Sequence, residues 1–194
     1  MTFRTRLLTM LAFAAFASVQ SLPAADTEVF GGYSFTNMRP DNGADSATIN
    51  GWNTAITTYL WGRFGVMADV AGYYGTATAI YPATAGVTFN SADSSIRQYS
   101  FMAGPQIRLL HNQRIETSFR ALLGGTYAYA PDASAIAGQS TFSALFGSNL
   151  DVKVSKRVSM RFSPGLYLTQ FGESQTQKNF RFSVGPVFRF GSGS

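Results

Sequence analysis

From Thr27 onward the chain alternates apolar and polar residues with a period of two, the pattern of half-buried β-strands. The last segment is the plainest. Phe180, Phe182, Val184, Pro186, Phe188 and Phe190 fall on one face, and Arg181, Ser183, Gly185, Val187 and Arg189 fall on the other. The segment before it sets Val158, Met160, Phe162, Pro164, Leu166 and Leu168 against Ser159, Arg161, Ser163, Gly165, Tyr167 and Thr169. Reading backward, strands are expected over residues 142–154, 115–129, 96–109, 64–74, 52–60 and 27–36, which makes eight.

The connections alternate in length. Short turns are expected at Trp61-Gly62-Arg63, His111-Asn112-Gln113 and Ser155-Lys156-Arg157. Long connections run over 37–51, 75–95, 130–140 and 172–178 and are rich in Gly, Ser, Asp, Thr and Pro. An even strand number with short turns at one end and long loops at the other predicts an all-β, eight-stranded antiparallel up-and-down transmembrane β-barrel. A soluble barrel would place the same apolar faces inside. Against that, the polar faces carry few charges, and the apolar faces hold Phe and Tyr too bulky for a narrow lumen. Aromatics also gather near strand ends (Tyr33, Phe35, Trp52, Phe64, Tyr74, Tyr99, Tyr127, Tyr129, Phe171, Phe190), as interfacial girdles do.

Register then pairs charges inside the lumen. A turn centred on Lys156 sets Asp151 opposite Arg161, and one centred on Asn112 sets Arg108 opposite Glu116. Glu28 and Arg189 lie near the ends of the first and last strands, which must meet to close the barrel, and Asp69 and Arg120 are a candidate pair across the lumen. The set reads as a plug of ion pairs or as the constriction of a pathway. Pro105, Pro164 and Pro186 fall within strands, where each removes a ladder donor, and bulges are expected there.

Composition narrows the chemistry. Charged residues are 13% of the 194, against roughly 25% in soluble domains. With no Cys and one His, disulfide frameworks, cysteine metal sites and His-rich metal sites are excluded. His111 falls in a short turn, and no catalytic constellation or cofactor motif is found. Arg4 and Arg6 precede the 13-residue apolar run Leu7–Val19, which is too short to span a bilayer and fits a secretory signal over residues 1–25. The barrel then occupies 26–190 and a tail 191–194. Without residues 1–25 the net charge is +3, too mild and scattered to argue for nucleic acid.

The phrases VFGGYSF, SFMAGPQIRL, SFRALLGGTYAY and FRFSVGPVFRF, with the loop asymmetry, resemble the OmpA-like and opacity-type outer-membrane β-barrel family of bacteria. The resemblance covers nearly all of the chain after the signal. It implies residence in the outer membrane among phospholipid and lipopolysaccharide. It also implies that the alternating Phe180, Phe182, Val184, Phe188 and Phe190 serve as the signal read by the barrel-assembly machinery. The chain departs from the family pattern in continuing past Phe190 with Gly191-Ser192-Gly193-Ser194. The expected role is non-enzymatic, envelope support or surface adhesion through four long loops, with a small passive channel as the alternative. The connection over 75–95 carries Tyr81, Val87 and Phe89, the candidate partner contacts.

Overall fold

A computed structural model of the chain describes residues 26–38, 47–79, 92–129, 139–170 and 177–191. They form eight strands: β1 (Asp26–Met38), β2 (Ala47–Trp61), β3 (Phe64–Ala79), β4 (Ala92–His111), β5 (Ile115–Tyr129), β6 (Gln139–Lys153), β7 (Val158–Thr169) and β8 (Gln177–Phe190). Each pairs antiparallel with its neighbour in sequence, and β8 returns to β1 to close the barrel. Closure leaves no strand edge with unpaired backbone groups, the condition for spanning hydrocarbon with strands. The strands outrun the sequence expectation at the long-loop end. β1 extends to Met38, β2 begins at Ala47, β3 reaches Ala79 and β4 begins at Ala92. Tyr81, Val87, Phe89, Phe171, residues 1–25 and the last three residues lie outside the described residues.

The period-2 pattern reads out directly. On β8, Phe180, Phe188 and Phe190 are exposed, whereas Asn179, Arg181, Ser183, Val187 and Arg189 are buried. β5 repeats it, with Phe119 and Leu123 outside and Glu116, Ser118, Arg120 and Leu122 inside. The apolar face is therefore the exterior. Among the described residues, Tyr74, Tyr99, Tyr127 and Tyr129 form a chain of ring contacts with centroids 5.7–6.4 Å apart, at the level of an aromatic girdle.

The lumen is filled rather than open. Phe30, Ala55, Met67, Met102, Leu122, Leu145, Tyr167 and Val187, one from every strand, touch as a single apolar cluster. Tyr59 and Tyr73 are also inside, so bulky residues are not confined to the exterior.

Among the described residues two register shifts occur, at Tyr59/Trp61 against β3 and at Arg108/Leu110 against β5. Each keeps one side chain inside (Tyr59, Arg108) and turns the next two outward (Leu60 and Trp61, Leu109 and Leu110). Such an inserted residue is what a bulge does. The prolines are not the bulges. The register is unchanged on either side of Pro105 in β4–β5, of Pro164 in β6–β7 and of Pro186 in β1–β8, and the ladder only skips two pairs at each. A proline costs its own donor and leaves the spacing of the flanking pairs intact. Gly62, with φ of 55°, makes the tight turn between β2 and β3.

Candidate functional site

Among the described residues, the charged lumen is where chemistry-bearing side chains converge. It has two parts. The first lies toward the short-turn end. Arg161 donates from Nε and Nη2 to the two oxygens of Asp151, both at 2.7 Å, and from Nη2 to Glu28 at 2.6 Å. Asp151 and Arg161 are direct partners in the β6–β7 ladder. Glu28 and Arg189 are direct partners across the closing β1–β8 seam, with Arg189 Nε 3.2 Å from Glu28. Arg189 also donates to Asp151 at 2.9 Å and to the hydroxyl of Ser159.

Arg108 is not opposite Glu116, as the turn reading placed it. The bulge after Arg108 sets it against Ser118 and brings His111 opposite Glu116. Arg108 still reaches Glu116 diagonally, Nε to Oε1 at 2.6 Å, and donates from Nη2 to Asp26 at 2.9 Å and Glu28 at 3.2 Å. Its guanidinium lies 3.8 Å from the centroid of the Tyr59 ring, which the other bulge holds inside. His111 ends β4 rather than sitting in a turn, with Nδ1 2.7 Å from Glu116 Oε2 and Nε2 3.4 Å from Lys153 Nζ. Glu28, Glu116 and Asp151 bring carboxylate oxygens within 4.8 Å of one another, but Arg108, Arg161 and Arg189 already occupy them. Mutual attraction offsets desolvation only where the buried charges are also hydrogen-bonded, as each of these carboxylates is.

The second part centres on Asp69. Arg181 Nη2 donates to both of its oxygens, at 2.9 and 3.1 Å, and Asn53 donates to it at 3.0 Å. Arg120 stands 3.9 Å away, and its Nε and Nη2 have no partner among the described residues. The stronger partner, Arg181, is one that the sequence pattern does not single out. It sits on the same β8 face as Arg189, which could have flagged it, but nothing in the sequence sets β8 across the lumen from β3. Between the two parts, Asn149 donates to Gln106 and Ser118, both at 3.1 Å, and Gln106 donates to the Tyr59 hydroxyl at 2.6 Å.

Of the residues that the resemblance implies as an assembly signal, Phe180, Phe188 and Phe190 are exposed, and Phe182 and Val184 share their face half-buried. Phe35 packs on Phe182 and Phe180 across the closing seam, with centroids 5.6 and 6.3 Å apart.

An exterior of exposed Phe, Leu, Val and Trp around a buried set of arginines and carboxylates is the inverse of a soluble barrel. The fold is that of the eight-stranded outer-membrane barrels. The chain superposes on Neisserial surface protein A with a TM-score of 0.62 at 13% identity, covering 84% of this chain and 97% of that one. It superposes on the attachment invasion locus protein Ail of Yersinia pestis, solved with the heparin analogue sucrose octasulfate, with a TM-score of 0.59 at 18% identity, covering 87% and 100%. It superposes on the outer-membrane protein OprG of Pseudomonas aeruginosa with a TM-score of 0.59 at 13% identity, covering 89% and 99%. No family model matches the sequence, and no curated protein matches it. An outer-membrane barrel needs a lipid-facing apolar belt and a polar interior whose charges are paired, and here every lumen carboxylate has an arginine partner.

Proposed function

We propose that the protein is a non-enzymatic outer-membrane anchor, delivered across the inner membrane by the signal over residues 1–25, whose long connections make contacts at the cell surface. One observation carries this reading. The lumen is closed by side chains from all eight strands, with the Glu28–Arg161–Asp151–Arg189 set bonded across it. A barrel whose interior is occupied in this way works through what it displays. The connection between β3 and β4 is the leading contact, because Tyr81, Val87 and Phe89 give it apolar character unusual for a solvated segment.

Two measurements test the proposal. Deleting residues 80–90 should abolish adhesion of cells displaying the barrel while leaving the folded fraction unchanged; undiminished adhesion overturns the loop assignment. Planar-bilayer recording should show no steady conductance for the wild type, for Asp151→Asn or for Arg161→Gln. Steady wild-type current that shifts in either variant overturns the anchor reading and makes the ion-pair set the constriction of a small channel.

A further inference from the structure

Charge is divided along the barrel axis. In the lumen, Arg108, Arg120, Arg161, Arg181 and Arg189 are matched by Asp26, Glu28, Asp69, Glu116 and Asp151. At the end with the long connections, the sequence places Asp41, Asp45, Asp93, Asp132 and Glu173 against Arg39, Arg97 and Lys178, an acidic excess. At the opposite end, Arg63, Arg114, Lys153, Lys156 and Arg157 stand on or beside the short turns, and the carboxylates there, Asp26 and Glu116, are committed to lumen arginines. The positive balance of the chain after residue 25 is therefore concentrated at one rim.

The apolar neighbours of these cations identify the partner. Each short turn is flanked by exposed hydrophobic side chains continuous with the lipid-facing belt. Trp61 and Phe64 flank Arg63; Leu110 and Ile115 flank Arg114; Val154 precedes Lys156 and Arg157. Trp61 is 74% exposed. The two bulges reinforce the arrangement, because Leu60–Trp61 and Leu109–Leu110 both turn outward at this end. Side chains in this order, apolar groups in the acyl region with cations one or two residues on, reach the phosphate level of the leaflet that surrounds them. A soluble acidic protein would need the cations on an open face away from the lipid. Here they border it.

We propose that the short-turn rim is a docking ring for anionic phospholipid headgroups of the periplasmic leaflet. Arg63, Arg114, Lys156 and Arg157 supply the charge, and Trp61, Leu110 and Val154 set the depth.

Trp61 provides a local reporter, because the chain has only two tryptophans. The full chain carrying Trp52→Phe is purified folded and reconstituted in phosphatidylcholine vesicles. These contain a small fraction of either phosphatidylglycerol or phosphatidylcholine with brominated acyl chains, which quench tryptophan on contact. Phosphatidylglycerol should quench Trp61 with an apparent affinity about fivefold or more above that of phosphatidylcholine. The preference should fall to near one in Arg63→Gln/Arg114→Gln/Lys156→Gln/Arg157→Gln. It should also shrink at 1 M salt, where the Debye length is about 3 Å. Arg97→Gln, at the other end, should leave it unchanged. Equal quenching by the two lipids in the unsubstituted rim overturns the proposal. So does a preference that survives the fourfold substitution.

Discussion

Arg161 and Asp151 face each other directly across the β6–β7 ladder and share two hydrogen bonds of 2.7 Å, one to each carboxylate oxygen. The pair is fully inside the lumen, and its second acid, Glu28, arrives only because β1 closes on β8. A two-strand register contact is thereby built into a tie across the barrel.

Removing Arg161 takes the closest cation from two buried carboxylates, leaving Asp151 to Arg189 and Glu28 to Arg189 and Arg108. Arg161→Met should destabilise the folded barrel by about 3–5 kcal/mol, the usual cost of breaking a buried pair from one side. Urea unfolding in vesicles measures it. A loss under about 1 kcal/mol would mean that Arg189 and Arg108 suffice for both acids.

The Asp69 set makes a contrasting case. Arg181 donates twice to Asp69, whereas Arg120 approaches no closer than 3.9 Å. Arg181→Met should cost at least about 1 kcal/mol more than Arg120→Met, because it removes charged hydrogen bonds and not only a nearby charge. The same unfolding titration ranks the two variants, and the reverse order would show that Arg120 is the true partner of Asp69.

Backbone packing at the closing seam gives a third prediction. A methyl on Gly185 would fall on the carbonyl oxygen of Gly31 across the β1–β8 seam, whereas a methyl on Gly31 would meet nothing within 4 Å. Gly185→Ala should cost about 1–3 kcal/mol by forcing the strands apart, and Gly31→Ala should stay within about 0.5 kcal/mol. Equal effects in unfolding titrations would show that the seam can relax.

The outward aromatics of β8 should matter to assembly more than to stability. Phe188→Ser/Phe190→Ser leaves every lumen bond of Arg189 in place, since those side chains point the other way. The outer-membrane fraction in cells should drop several-fold, while the protein refolded in vitro keeps its closed barrel. Normal assembly in cells would remove these residues from the signal.

Strand number, the apolar face of each strand and the end that bears the short turns are all legible in local sequence. All of these follow from the period-2 pleat and the spacing of turn residues, which are local. Local sequence also carries the Asp151–Arg161 pairing, because a tight turn transmits register reliably over five residues. Register transmission failed for Arg108 and Glu116, where a bulge inserts a residue that local pattern does not announce: Leu109 and Leu110 are both apolar and both accommodated by lipid. The prolines behave in the opposite sense, since a missing donor interrupts the ladder for two pairs without moving the register. What meets across the lumen is set by closure of the barrel. That Asp69 on β3 takes Arg181 from β8 depends on closure, strand tilt and side-chain length together. None of these is encoded in the neighbourhood of either residue.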